Sequence, residues 1–158
     1  MNVGSNAKAG KGDWVVAEAD ESDGSFLQYH PFIALVNNIE ADHLENYNGD
    51  FENLKKAYAQ FLSQVSLQGK AIVCNDDMFL RELIPTIKSE VITYGIETDA
   101  DYTACSIELG DRKVSFEVKH QGIFLGSIQL SVPGKHNVYN ALATVITCLL
   151  YTSDAADE

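Results

Sequence analysis

Ala71-Ile-Val-Cys-Asn-Asp-Asp77 is the stretch that decides the fold. Four apolar residues stop abruptly at three polar ones. A short continuous apolar run bounded by turn formers reads as a strand buried on both faces, the kind found in parallel sheets. Upstream, Asp50 is a good N-cap, and Phe51, Leu54, Tyr58, Phe61, Leu62 and Val65 recur at helical spacing, with Gly69 just past the expected end. Further upstream, Phe32-Ile-Ala-Leu-Val36 follows Pro31 and ends in Asn37-Asn38, a second buried strand. Trp14-Val-Val-Ala-Glu-Ala19, ending in Asp20-Glu-Ser-Asp-Gly24, is expected to be a third. Downstream, a short helix is expected to run to about Ile84, where Pro85 stops or bends it, and Val91-Ile-Thr-Tyr94 adds another strand. Alternation of strands and helices predicts a parallel sheet flanked by helices.

The pattern then changes. Residues 101–109, 113–120 and 123–132 lean toward alternation, as in Val114, Phe116 and Val118 and again in Ile128, Leu130 and Val132. Gly110-Asp111 and Gln121-Gly122 break the run, so an antiparallel meander with one wet face is expected. After Pro133-Gly134, the Ala- and Leu-rich segment from Asn137 reads as a helix. The expected fold is therefore α/β, a mainly parallel sheet flanked by helices with an antiparallel β-ribbon. Trp14, Phe26 and Phe32 are expected in the core. The tail from Cys148 to the end resembles a translated sequencing-library adapter, so 1–147 is taken as the folded unit and 148–158 as a non-native tail.

The 158 residues suit one domain, and 46% apolar with 22% charged residues is a globular composition. A net charge of −12 argues against nucleic acid and anionic membrane surfaces as partners. No apolar run reaches the ~18 residues of a membrane span, and Met1 to Gly12 has no apolar core of a secretory signal. Cys74, Cys105 and Cys148 are widely spaced and odd in number, which suits reduced thiols in a cytosol.

Two strand ends gather groups with chemical potential. One carries Glu18, Asp20, Glu21 and Asp23; the other leads into Asn38-Ile-Glu-Ala-Asp-His43. In open parallel sheets, ligands collect outside the carboxyl ends of strands. Neighbouring strands would bring Glu18 and the Asp42-His43 pair to one crevice, where clustered carboxylates are solvated, protonated or bridged by a cation. Oxygen ligands with one imidazole favour Mg²⁺ or Mn²⁺; the same acids also suit solvated turns and caps. In Pro133-Gly-Lys-His-Asn-Val-Tyr-Asn140, Asn137 and Asn140 share one helical face and each offers a donor and an acceptor, which suits a purine edge. Asn137 serves equally well as a helix cap.

Taken together, Glu18-Ala-Asp-Glu-Ser-Asp-Gly-Ser-Phe-Leu27, Asn38-Ile-Glu-Ala-Asp-His-Leu44 with Tyr47, Gly49-Asp-Phe-Glu-Asn-Leu54, and Gly134-Lys-His-Asn-Val-Tyr-Asn-Ala141 resemble the Mur ligases, and specifically the ATP-binding central domain of that family. The resemblance runs from about Asp13 to about Thr147. It implies a bacterial, cytoplasmic, ATP-dependent ligase of peptidoglycan synthesis. Its substrates would be UDP-N-acetylmuramate, L-alanine and ATP, and its metal Mg²⁺. By the same resemblance, Glu18 would ligate the Mg²⁺ that bridges the ATP phosphates. His43 would ligate a second Mg²⁺, with Asp42 orienting it, and His136, Asn137 and Asn140 would line the adenine pocket. The family's central domain opens with a P-loop; Gly10-Lys11-Gly12 lacks the spacing, so the chain reads as part of a larger enzyme and is expected to be inactive alone. A muropeptide-recycling ligase, a folylpolyglutamate-type ligase and a non-catalytic module that holds a divalent ion or nucleotide remain as alternatives.

Overall fold

The computed structural model describes residues 10–154. Its strands are β1 (Ile33–Val36), β2 (Lys70–Cys74), β3 (Glu90–Gly95), β4 (Tyr102–Leu109), β5 (Val114–His120) and β6 (Ile123–Leu130). Its helices are α1 (Phe51–Ser63), α2 (Met78–Leu83) and α3 (Lys135–Asp154). The six strands form one sheet in sequence order, parallel from β1 to β4 and antiparallel from β4 to β6.

Each part of this order has a local cause. Ala71, Ile72, Val73 and Cys74 are all buried, as a central parallel strand requires. The carboxylate of Asp50 accepts from the Glu52 N–H at 2.9 Å and starts α1, whose Leu54, Phe61 and Leu62 are buried. Asp77 does the same for α2, accepting from the N–H groups of Phe79 and Leu80 at 2.9 and 2.8 Å. Pro85 falls in the turn Ile84–Thr86 that ends this helix, as expected. β5 alternates as predicted, with Val114, Phe116 and Val118 inside. α3 packs across β2, β3, β4 and β5 through Val138, Leu142, Ala143 and Ile146.

β3 and β4 pair over only two positions, Tyr94 with Tyr102 and Gly95 with Thr103. β4 therefore begins beside the end of β3 and carries on in the same direction. The β4–β6 ribbon extends past the carboxyl end of the parallel strands. Asp101 fixes this handover: its Oδ2 accepts from the Thr93 N–H and Oγ1 at 2.8 and 2.7 Å, while its own N–H donates to Thr93 Oγ1 at 3.0 Å.

Two expectations are corrected. Trp14-Val-Val-Ala-Glu-Ala19 is not a strand: Val15 and Val16 are 90% and 97% exposed. Apolar composition suits a strand, but a strand exists through its hydrogen-bond ladder, and no described strand pairs with this segment. Trp14 and Phe32 lie outside the core. They meet edge to face at 5.6 Å, and Trp14 also meets Tyr151 at 5.9 Å, whereas Phe26 is buried as expected. α3 continues past Cys148 to Asp154, and Leu150 packs on the core. The sequence readings of residues 1–9 and 155–158 lie outside the described residues.

Candidate functional site

A cleft of about 280 Å³ opens at the carboxyl ends of β1 and β2, where the first turns of α3 cross them. Asn37 and Asn38 follow β1, Cys74 closes β2, Asp76 and Asp77 follow it, and His136, Tyr139 and Asn140 come from α3. This is the general position for ligands in an open α/β sheet.

Asp76 organises the wall. Its carboxylate accepts from the Ile96 N–H at 2.6 Å, the Glu97 N–H at 3.0 Å, the Thr98 N–H at 2.8 Å, the Thr98 hydroxyl at 2.6 Å and the Tyr139 hydroxyl at 2.8 Å. Burial pushes its pKa up, but donation from Thr98, Ile96, Glu97 and Tyr139 outweighs burial and holds it at about 2. One carboxylate thus ties the loop after β3 to the first turns of α3. Burial, then the bond to Asp76, pushes the Tyr139 hydroxyl well above the ordinary tyrosine value. Burial likewise raises Cys74, which stays a protonated thiol in the cleft.

The backbone of Gly134 has φ +104°, and a Cβ there would lie 2.6 Å from Cε1 of His136. The imidazole therefore rests against a position only glycine can occupy. On the opposite side, the Tyr94 hydroxyl donates to Asn37 Oδ1 at 2.5 Å, and Asn37 Nδ2 donates to Asn140 Oδ1 at 3.1 Å.

Of the residues singled out in sequence, His136 and Asn140 line the cleft. Asn137 does not; its Nδ2 donates to the Pro133 carbonyl at 2.6 Å and secures the turn before α3. Glu18 is exposed in an irregular segment, and Asp42 and His43 are exposed beside each other. His43 pairs with Glu45 (Nδ1–Oε1, 3.8 Å) and has φ 53°, in the left-handed region. The two loops carrying Glu18 and His43 are tied together just beyond those residues. The Tyr47 hydroxyl donates to the Glu21 carbonyl and Asn46 Nδ2 donates to the Ser22 carbonyl. Asp20 is held below the ordinary carboxylate value by Ser22, first through its side chain and then its N–H, with a further contribution from the charge of His43. Among the described residues, no three or more His, Cys, Asp or Glu side chains gather to hold a metal. The described residues thus form no cage, which is compatible with magnesium only where substrate phosphates and water supply most of its ligands.

Sequence reasoning missed Asp76, Tyr139 and Tyr94. The signal for Asp76 was present in Asn75-Asp76-Asp77: Asp77 caps α2, leaving its neighbour to answer the amides of the adjacent loop.

The Mur ligase middle domain model matches residues 5–148. The chain belongs to the Mur ligase middle-domain family. It is 45% identical over 147 residues to the UDP-N-acetylmuramate–L-alanine ligase of Trichlorobacter lovleyi, covering 93% of this chain and 32% of that protein. It is 46% identical over 144 residues to the ligase of the same name from Syntrophotalea carbinolica, covering 91% and 31%. The crystal structure of UDP-N-acetylmuramate-alanine ligase from Thermotoga maritima matches with a TM-score of 0.68 at 26% identity, covering 87% of this chain and 28% of that one. The chain spans about a third of the length of the curated relatives it matches.

Proposed function

We propose that this chain is the nucleotide-binding middle part of an ATP-dependent ligase that joins L-alanine to UDP-N-acetylmuramate in peptidoglycan synthesis. The observation that carries the reading is the base-sized cleft lined by His136, Asn140 and Tyr139 at the carboxyl ends of β1 and β2, in a chain whose curated relatives bear that name. His136 and Asn140 take the adenine, and Asn137 holds the turn that presents them.

The chemistry follows from the acid substrate. A free carboxylate has no good leaving group. Its oxygen attacks the γ-phosphorus of ATP, ADP departs, and an acyl phosphate results. The alanine amine then attacks the acyl carbon and expels phosphate. Positioning and charge neutralisation dominate such transfers. Magnesium, when bound, neutralises phosphate charge; Glu18 would lend one ligand to the ion at the ATP phosphates and His43 one to a second ion, with Asp42 orienting His43. Two observations support this role: the loops that carry Glu18 and His43 are tied together, and His43 is held in a backbone region costly for a residue with a side chain.

A coupled ADP-release assay on the full-length ligase, with UDP-N-acetylmuramate as acceptor, tests the reading. Turnover is expected with L-alanine and not with a tripeptide or glutamate. Turnover with either of those instead would assign the chain to a sibling ligase. The described segment by itself is expected to release no ADP, because it holds no stretch with phosphate-binding-loop spacing; turnover by the segment overturns this.

A further inference from the structure

We infer that Tyr94 and Asn37, neither of which needs to touch a ligand, set which end of the Asn140 carboxamide faces the cleft. They thereby make the nucleotide site demand a hydrogen-bond acceptor on the base. The inference rests on the nucleotide reading of the cleft and concerns how the base is read there.

The argument is one of donors and acceptors. Tyr94 is fully buried, with 0% exposure, so its hydroxyl proton must be placed within the protein. Burial, followed by its neighbour Cys74, keeps that hydroxyl protonated far above ordinary tyrosine behaviour. The proton goes to Asn37 Oδ1 at 2.5 Å. An amide with its oxygen committed inward must turn its NH₂ the other way, and Asn37 Nδ2 meets Asn140 Oδ1 at 3.1 Å. The Asn140 oxygen is thereby engaged, and its NH₂ is the end left for the cleft. Asn37 and Asn140 both line that cleft, and Tyr94 stands behind it at the end of β3. A single buried phenol thus fixes, through one amide, the polarity of a second. The ligand group it selects is a ring nitrogen carrying a lone pair, as on the edge of adenine.

Asn37→Asp reverses the relay without changing its size. A carboxylate accepts from Tyr94 on one side and can only accept from Asn140 on the other, so the Asn140 amide turns over and shows its oxygen to the cleft. The test uses the full-length ligase with ATP, 7-deaza-ATP and 1-deaza-ATP, the analogues each replacing one ring nitrogen by C–H. In the wild type, one analogue is expected to have a KM about tenfold above that of ATP, the size of one lost hydrogen bond. In Asn37→Asp, the KM for ATP rises about tenfold and the penalty on that analogue vanishes, while kcat and the KM for L-alanine change less than twofold. Tyr94→Phe, which frees Asn37 to turn, is expected to shrink the same penalty and guards against misfolding of the first variant. Equal analogue penalties in the wild type and both variants overturn the relay, as does a wild type that penalises neither analogue. A wild type with no saturable dependence on ATP overturns the nucleotide reading and the relay with it.

Discussion

The Tyr139 hydroxyl donates to Oδ2 of Asp76 at 2.8 Å, joining a helix and a loop 63 residues apart in sequence. Because the same carboxylate also holds Ile96, Glu97 and Thr98, it fastens three separate segments at the rim of the cleft. Charge-assisted bonds of this kind exceed neutral ones, and their loss exposes unpaired donors.

Asp76→Asn should destabilise the fold by about 1–3 kcal/mol, because an amide nitrogen then faces donors it cannot satisfy. The pH dependence has a definite sign. The carboxyl titrates at about 2 in the folded chain against an ordinary 3.8, so its contribution is complete above the ordinary value and is lost as pH falls through about 2. After allowance for solvent screening the contribution is roughly 1–2 kcal/mol. Urea melts from pH 5 to pH 2 should show this slope in the wild type and a flatter one in Asp76→Asn.

Gly134→Ala should disturb ligand binding more than folding. The added methyl would lie 2.6 Å from the His136 ring, at a φ of +104° that an alanine resists. We expect the imidazole to be driven from its place and the KM for ATP to rise severalfold in the full-length enzyme. An unchanged KM would mean that His136 does not meet the nucleotide.

Gly69→Ala is expected to act on the fold instead. Its Cβ would fall 1.9 Å from the Phe32 carbonyl oxygen, the atom that accepts from the Lys70 N–H at the start of the β1–β2 pairing. The strands must part at that end, and a loss of at least ~2 kcal/mol, or failure to accumulate as soluble protein, should follow. Thermal unfolding compared with Gly126→Ala, where an added Cβ meets nothing within 4 Å, provides the control.

Glu18→Ala and His43→Ala, made in the full-length ligase, should lower kcat by at least about a hundredfold if each lends a ligand to its own magnesium ion. Both side chains are exposed, so melting temperatures should stay close to the wild type. Near-normal turnover in either variant removes that residue from the metal site.

The fold was legible where one physical signal governed. The alternation of Val114, Phe116 and Val118 reports the one buried face of β5, and Asp50 before Phe51 reports the cap of α1. Legibility failed where partners far apart in sequence decide the outcome. Trp14-Val-Val-Ala-Glu-Ala19 has strand composition, but pairing is a property of two segments and is invisible in one. The bulge in β4, where Ser106 takes φ 52° and the register shifts between Cys105 and Glu108, carries no glycine to announce it. In the site, the helix-start residues His136 and Asn140 could be found from the motif they sit in. Tyr94 could not, because its importance lies in the acceptor that Asn37 supplies across the sheet, and the polar run Asn75-Asp76-Asp77 does not disclose the donors that Thr98 and Tyr139 bring to Asp76.

The ribbon formed by β4, β5 and β6 has a kinetic consequence. Its strands are joined by tight connections at residues 110–113 and 121–122, so each closes a small loop, whereas β1 and β2 must span all of α1 before they meet. Loop closure over few residues is the faster event. On refolding, the amides of β5 should therefore gain protection from hydrogen exchange before those of β1, and the last-made half of the chain's sheet becomes the first to take shape.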